Sequence, residues 1–167
     1  IPAGSENLLF LPYLLGERAP WWNPHARGTF IGLTARHRKS HLIRAVLEGV
    51  SFNLRIILDA FRKQGIKIES MRIIGGGARG AFWAQVLSSM FNMEILRPKY
   101  LEEATSLGAA IAGGVGVGIF PGFDIAEKLI EIKDSYQPFP EDVKTYDRLY
   151  PVFIQAYKSL IQVFDCL

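Results

Sequence analysis

Apolar residues recur at helical spacing over the segment from Ser40 to Gln64. The apolar positions are Leu42, Ala45, Val46, Gly49, Phe52, Ile56, Ala60 and Phe61, and the opposite face carries Arg44, Glu48, Arg55, Asp59 and Lys63. This pattern predicts an amphipathic helix over 40–64 that begins at Ser40 as N-cap and ends before Gly65. We expect its charged residues to form a solvated face with i,i+4 pairs rather than a catalytic group.

Short apolar runs and helical patterns alternate along the rest of the chain. Strands are predicted at 29–33, 71–75 and 93–97, and helices at 80–91 and 104–116. Helical patterns also cover 124–132 and 142–164, and Pro151 is expected to kink or divide the second of these. The alternation predicts an α/β fold, in which the helix over 40–64 and its neighbours pack on a partial mixed sheet.

Three glycines followed by alanine join the predicted strand 71–75 to the next helix: Gly75, Gly76, Gly77 and Ala78. Glycines let a ligand lie against the backbone, and the unpaired N–H groups of a first helical turn favour an anionic or electron-rich group. A nucleotide is therefore the favoured ligand, and Gly77, close to the helix, is expected to approach it. A tight packing turn without a ligand is the alternative.

The spacing Gly75-x-Gly77-x-x-Gly80 also spells a dinucleotide fingerprint after a strand. An NADP-binding Rossmann-type module is therefore a second interpretation. An NAD-binding unit has an acidic residue at the end of the next strand, whereas this chain has Arg97-Pro-Lys99 there, which would suit a 2′-phosphate.

Composition narrows the class of protein. The 167 residues are 49% hydrophobic and 12% aromatic, as expected for about one globular domain. The net charge of +3 comes from scattered residues, which argues against a nucleic acid as partner. The longest weakly polar stretch, Leu107 to Phe120, is too short to span a bilayer, so no membrane is expected as partner. One cysteine, Cys166, and three histidines offer neither an internal disulfide nor a set of metal ligands, which favours a cytoplasmic protein without a metal site.

Several motifs together resemble one known family. Gly28-Thr-Phe-Ile-Gly-Leu33, seven residues, and then His41-Leu-Ile-Arg-Ala-Val-Leu-Glu48 resemble the second signature of the FGGY carbohydrate kinases. The segments Leu9 to Pro20, Gly75 to Arg79 and Glu103 to Ala110 stand in the order that this family uses. Within the family, the loop Gly-Glu-Arg-Ala-Pro and the Trp-Asn-Pro that follows it are most similar to xylulokinases, with bacterial gluconate kinases next.

The resemblance implies the C-terminal lobe of an actin-like, RNase H-like ATPase. Residues 1–122 would form this nucleotide-binding lobe without its first strands, and residues 123–167 a helical extension of the same domain. The implied reaction transfers the γ-phosphate of ATP to a hydroxyl of a ketopentose, D-xylulose giving D-xylulose 5-phosphate, with gluconate as the alternative acceptor. Residues 75–78 would lie beside the adenosine and the α-phosphate.

Phosphoryl transfer needs a carboxylate near the attacking oxygen and a Mg²⁺ site. In the family these groups come largely from the N-terminal lobe, so no residue of this chain is predicted to be catalytic and the chain alone is expected to be inactive. A non-catalytic binding or assembly module is a further alternative. The expected partners are ATP, a small sugar and the N-terminal lobe of the same kinase, and a homodimer is compatible with the sequence.

Three charged residues are candidates for the cleft between the lobes: Glu17, Arg18 and Arg79. Glu17 and Arg18 precede Pro20 in the Gly-Glu-Arg-Ala-Pro loop, where they either line the cleft or lock the loop by pairing with each other. Trp21 and Trp22, next in the chain, are expected to serve the core or a contact between lobes, with stacking on a sugar as the alternative.

Overall fold

The computed structural model describes residues 1–101 and 103–167, which divide into two compact units. The first unit comprises Ile1–Ile68, Ser89–Asn92 and Pro138–Leu167, and the second comprises Glu69–Ser88 and Met93–Gln137. In chain order the elements are β1 (Leu9–Leu11), β2 (Thr29–Ile31), α1 (Lys39–Lys63), β3 (Ser70–Arg72), α2 (Ala81–Phe91), β4 (Glu94–Pro98), α3 (Ala104–Gly116), α4 (Ile125–Leu129), β5 (Ile132–Tyr136) and α5 (Pro140–Phe164).

The first unit is built on the long helix α1. Strands β1 and β2 pair antiparallel, with Phe10 opposite Phe30, and α1 packs directly against β1. The approach is close because α1 has a glycine at this point: a Cβ on Gly49 would lie 2.1 Å from the carbonyl oxygen of Phe10. The predicted helix therefore forms, and within the first unit it packs on this small antiparallel sheet.

The N-terminus of α1 differs from the prediction. The helix begins at Lys39 with Arg38 as N-cap, and the backbone N–H of Arg38 donates to Nδ1 of His41 at 3.0 Å. Ser40 already lies inside the helix, so its prediction as N-cap is wrong. The C-terminal glycine is confirmed, because Gly65 has a φ of 81°, a backbone conformation that suits glycine.

Helix α5 completes the core of the first unit. It begins with Pro140 in its first turn and continues through Pro151 without division. Its buried residues recur at helical spacing, and they are Tyr146, Leu149, Phe153, Tyr157 and Phe164. Phe52 of α1 packs edge-on against Tyr146 and stacks on Phe153, with ring centroids 5.9 and 5.2 Å apart.

The second unit contains a three-stranded mixed sheet in the order β3-β4-β5. Strands β3 and β4 are parallel, joined by α2, and β5 runs antiparallel to β4. The mixed sheet and the helices at 81–91 and 104–116 confirm the predicted α/β class. The helix predicted over 124–132 is wrong beyond Leu129, because β5 begins at Ile132 and pairs with β4.

No helix among the described residues is both long enough and apolar enough to cross a bilayer.

Candidate functional site

The glycine turn leaves β3 at the edge of the sheet where the parallel strands β3 and β4 both end. Ile73 still donates its N–H to the carbonyl of Leu96 at 3.0 Å, and the chain then turns at Gly75, which has φ 77° and ψ −168°. Only glycine adopts this combination readily. The C-terminal ends of parallel strands are where ligands bind in open α/β sheets.

Residues Gly76–Arg79 form a short 3₁₀ turn that the sequence did not predict. The N–H of Ala78 donates to the carbonyl of Gly75 at 3.1 Å, and the methyl group of Ala78 is buried. Helix α2 begins two residues later, at Ala81, in agreement with the predicted start at 80. The first-turn N–H groups of an α-helix lack partners within the helix and carry partial positive charge, which suits an anion.

Gly76 and Gly77 have different surroundings. A Cβ on Gly77 would lie 2.4 Å from Cζ3 of Trp83, so the small size of Gly77 is needed for packing against that ring. A Cβ on Gly76 would meet no atom within 4 Å. The space beside Gly76 is therefore open, whereas the space beside Gly77 is filled by the Trp83 ring, and the approach of a nucleotide to Gly77 stays a prediction.

Arg97 of β4 braces the end of the turn. Its Nη1 donates to the carbonyl of Arg79 at 3.2 Å, and its Nε donates to the carboxylate of Asp134 in β5 at 2.8 Å. The hydrogen bond to Asp134 raises the pKa of the Arg97 guanidinium above its ordinary value, so it stays charged. The turn is thus tied to both neighbouring strands.

A cavity of about 370 Å³ lies at the same end of the sheet. Its walls are mostly apolar and come from β3, β4 and their following segments, α3 and α4; they are Arg72, Ile74, Pro98, Tyr100, Ala104, Leu107, Gly108, Ile111, Phe123, Ala126 and Ile130. Its size is in the lower part of the range of small-molecule pockets. Ile74 immediately precedes Gly75, so the cavity and the glycine turn adjoin along the chain.

The loop that contains Glu17 and Arg18 belongs to the first unit. Oε1 of Glu17 accepts the backbone N–H groups of Arg18 and Ala19 at 2.7 and 3.0 Å, and Oε2 accepts the Asn53 side-chain amide at 3.0 Å. Glu17 therefore locks the loop through the backbone and Asn53, not through the Arg18 side chain. The Arg18 side chain is exposed.

Glu48 was predicted on a solvated face, but it is buried, with 2% of its surface exposed. Its Oε1 accepts the N–H of Gly4, the Arg44 Nε and the Tyr146 hydroxyl at 2.9, 2.7 and 2.9 Å, and its Oε2 accepts the Ser5 hydroxyl at 2.8 Å. These bonds anchor a left-handed turn, in which Gly4, Ser5, Glu6 and Asn7 all have positive φ. The role of Glu48 is structural, and the sequence carries no signal for it because Tyr146 lies 98 residues away.

Within residues 1–101 and 103–167, no group of three or more histidine, cysteine, aspartate or glutamate side chains is arranged to hold a metal ion.

The profile described as "FGGY family of carbohydrate kinases, C-terminal domain" matches residues 2–117 of the chain. The chain is 37% identical over 161 residues to a xylulose kinase of Staphylococcus epidermidis, which covers 96% of the chain and 32% of that protein. It is 40% identical over 158 residues to a gluconokinase of Bacillus subtilis, with 94% of the chain and 31% of the relative covered. The crystal structure of gluconate kinase from Lactobacillus acidophilus superposes with a TM-score of 0.88 at 34% identity, over 98% of this chain and 33% of the other.

The chain thus spans about a third of the length of these relatives.

Proposed function

Because the chain belongs to the FGGY family of carbohydrate kinases, as its match over residues 2–117 shows, we propose that it is the nucleotide-binding part of an ATP-dependent sugar kinase. The reaction transfers the γ-phosphate of ATP to a hydroxyl of a small sugar. D-xylulose is the proposed acceptor, with D-xylulose 5-phosphate as product. The family also favours ATP over the dinucleotide that the Gly75-x-Gly77-x-x-Gly80 spacing would suit.

The open backbone at Gly76 carries the proposal for ATP. Residues Gly75 to Ala78 lie at the end of parallel strands, directly before a helix start, and no atom occupies the space that a Cβ on Gly76 would take. The adenosine and the α-phosphate lie along this backbone. Hydrogen bonds within the protein hold the turn, from Arg97 to the carbonyl of Arg79 and from the Ala78 N–H to the carbonyl of Gly75. Arg79, the last residue of the turn, remains a candidate for contact with the bound nucleotide.

Mg²⁺ and the carboxylate that accepts the proton of the attacking hydroxyl are proposed to come mainly from residues outside this chain. Mg²⁺ is bound through carboxylates together with substrate phosphates and neutralises their charge during transfer. The glycine turn supplies backbone N–H groups and no carboxylate, so it fits the nucleotide and not the ion. The proposed contribution of this chain is therefore to bind and orient ATP.

Gluconate is the second candidate acceptor. The gluconokinase of Bacillus subtilis is 40% identical to the chain and the xylulose kinase of Staphylococcus epidermidis is 37% identical. This small difference in sequence identity does not decide which of the two sugars is the acceptor. The residues that choose between them are proposed to lie mostly in the part of the protein that precedes this chain.

A coupled assay of ADP formation in the full-length protein tests the function. With saturating MgATP, we expect turnover with D-xylulose, and turnover with gluconate alone would change the acceptor but not the reaction class. No turnover with either sugar, together with binding of NADPH instead of ATP, would overturn the proposal. The 167-residue chain assayed alone is expected to show no turnover above a blank without enzyme.

A further inference from the structure

Arg97 and Lys99, which by sequence would suit a 2′-phosphate, are each paired with an acidic side chain. Arg97 lies opposite Asp134 of β5 in the antiparallel ladder, and its Nε and Nη2 both donate to one carboxylate oxygen, Nε at 2.8 Å. Lys99 pairs with Glu131 at 3.0 Å. The side chain of Arg97 is 14% exposed, whereas those of Lys99 and Glu131 are 46% and 62% exposed. The pair of Arg97 is therefore the more strongly held, because water screens the pair of Lys99.

The guanidinium of Arg97 makes one further hydrogen bond, to the glycine turn. Its Nη1 donates to the carbonyl oxygen of Arg79 at 3.2 Å, while Asp134 holds the Nε side of the same planar group. A guanidinium presents its donors in a fixed fork, so Asp134 sets the direction in which Nη1 points. Arg97 thus ties the last residue of the turn to β5 through a rigid planar group.

The hydrogen bond from Arg97 fixes the orientation of the peptide between Arg79 and Gly80. This peptide is trans, because the one cis bond among the described residues is Ala19-Pro20, and in a trans peptide the C=O and N–H bonds point in opposite directions. With its carbonyl oxygen held by Arg97, the peptide directs the N–H of Gly80 away from the guanidinium. That N–H has no acceptor within the described part of the chain, and a Cβ on Gly80 would meet no atom within 4 Å.

Without this hydrogen bond, the peptide is free to rotate. Gly80 lacks a Cβ, so rotation of the peptide plane at its φ costs little, and three more glycines lie in the same six-residue segment, Gly75, Gly76 and Gly77. A rotated peptide would present the carbonyl oxygen of Arg79 on the side where the Gly80 N–H lies. A carbonyl oxygen there repels a phosphate, whereas an N–H attracts it.

We propose that Arg97 is a positioning residue for the nucleotide: held by Asp134, it keeps the Arg79–Gly80 peptide in the orientation that leaves the Gly80 N–H free to donate to a phosphate of ATP. Arg97 acts through the backbone and does not itself contact the nucleotide. Such preorganisation raises affinity, because the free protein has already lost the backbone entropy that binding would otherwise cost. The inference rests on the proposed function, since it requires ATP to bind at the glycine turn.

Calorimetric titration of ATP into the full-length protein tests the proposal, with folding of every variant checked by thermal melt. Arg97→Ala is expected to raise the Kd for ATP by about tenfold, the effect of one lost hydrogen bond. Asp134→Asn, which keeps the size of the side chain, is expected to raise the Kd less. The matched control is Lys99→Ala, which removes the neighbouring basic side chain and its ion pair and is expected to bind ATP like the parent.

A charge swap separates positioning from a purely structural role. Arg97→Asp combined with Asp134→Arg restores an ion pair between β4 and β5 but leaves no guanidinium on β4 for the carbonyl of Arg79. We expect the swapped protein to melt at a higher temperature than Arg97→Ala and still to bind ATP more weakly than the parent. A role limited to holding the two strands together predicts instead that ATP affinity recovers with the melting temperature.

The outcomes distinguish this inference from the proposed function. ATP affinity equal to that of the parent in folded Arg97→Ala, or full recovery of affinity in the charge swap, would overturn the positioning role and leave the proposed function standing. Absence of ATP binding by the parent would overturn both. In turnover assays, the KM for ATP should rise in Arg97→Ala while the KM for the sugar stays unchanged, and an equal rise in both would contradict positioning at the nucleotide.

Discussion

Replacing Glu48 by alanine tests the buried network that anchors the N-terminal turn. The substitution removes the acceptor of four hydrogen bonds, from Gly4, Ser5, Arg44 and Tyr146. It also removes the carboxylate that pairs with the guanidinium of Arg44, whose side chain is only 11% exposed and which keeps its hydrogen bonds to the Ile1 carbonyl and the Tyr146 hydroxyl. A buried charge that loses its partner is more costly than a lost neutral hydrogen bond.

The expected destabilisation follows from this geometry. Breaking a buried ion pair by removing one partner costs about 3–5 kcal/mol. For a chain of this size, 1 kcal/mol shifts the melting temperature by about 2–4 °C, so Glu48→Ala is expected to melt about 6–20 °C lower. Tyr146→Phe removes a single hydroxyl from the same network and is expected to cost about 1–2 kcal/mol.

Thermal unfolding followed by circular dichroism measures both variants. The matched control is Glu141→Ala, which breaks the ion pair with Lys144 on the surface of α5, where the two side chains are 83% and 72% exposed. An exposed pair of this kind contributes about 0–1 kcal/mol. If Glu48→Ala melts within the same narrow range as Glu141→Ala, the assignment of a structural role to the buried carboxylate is wrong.

Three further predictions concern other parts of the chain. Gly77→Ala should lower the melting temperature by the equivalent of about 1–3 kcal/mol, because the added Cβ would overlap Trp83. Gly76→Ala should leave the melting temperature unchanged, and equal melting temperatures of the two variants would refute the packing role of Gly77. Burial raises the pKa of the Tyr13 and Tyr146 hydroxyls above the ordinary value of about 10. The stability that the two neutral hydroxyls contribute is therefore present below pH 10 or so and is lost as the pH rises towards their folded-state pKa values. In an ultraviolet titration, both hydroxyls should ionise at a higher pH in the folded protein than in the unfolded chain. Glu17→Ala should speed hydrogen exchange of the Arg18 and Ala19 amides, which lose their acceptor, and unchanged exchange would show that the loop does not depend on this carboxylate.

The helices were largely predictable from the sequence because their signals are local. Periodic apolar positions predicted α1 within one residue at each end and α3 over its observed range, 104–116. Strand β5 was missed because its sequence, Ile-Lys-Asp-Ser-Tyr, is mostly polar and owes its conformation to pairing with β4. Strand β1 was missed as well, since it is a three-residue part of an apolar run that Pro12 interrupts.

The turn that carries the candidate site was predictable in its position but not in its details. The glycine pattern identified the turn between β3 and α2, since positive φ and close backbone approach leave a sequence signature. Which glycine faces open space depends on where the Trp83 ring packs, and local sequence does not determine this. The same holds for Glu17, whose carboxylate is fixed by Asn53, 36 residues along the chain.

Calorimetric titration of ATP into the full-length protein with Gly76→Val tests the central claim most directly. The substituted side chain would occupy the space assigned to the nucleotide, while the matched control Gly122→Val adds the same side chain in open space outside residues 75–78. With both variants folded by thermal melt, the account predicts that Gly76→Val loses ATP affinity and that Gly122→Val binds ATP like the parent. ATP affinity equal to that of the parent in a folded Gly76→Val protein would show that the glycine turn only serves packing, which would contradict the account.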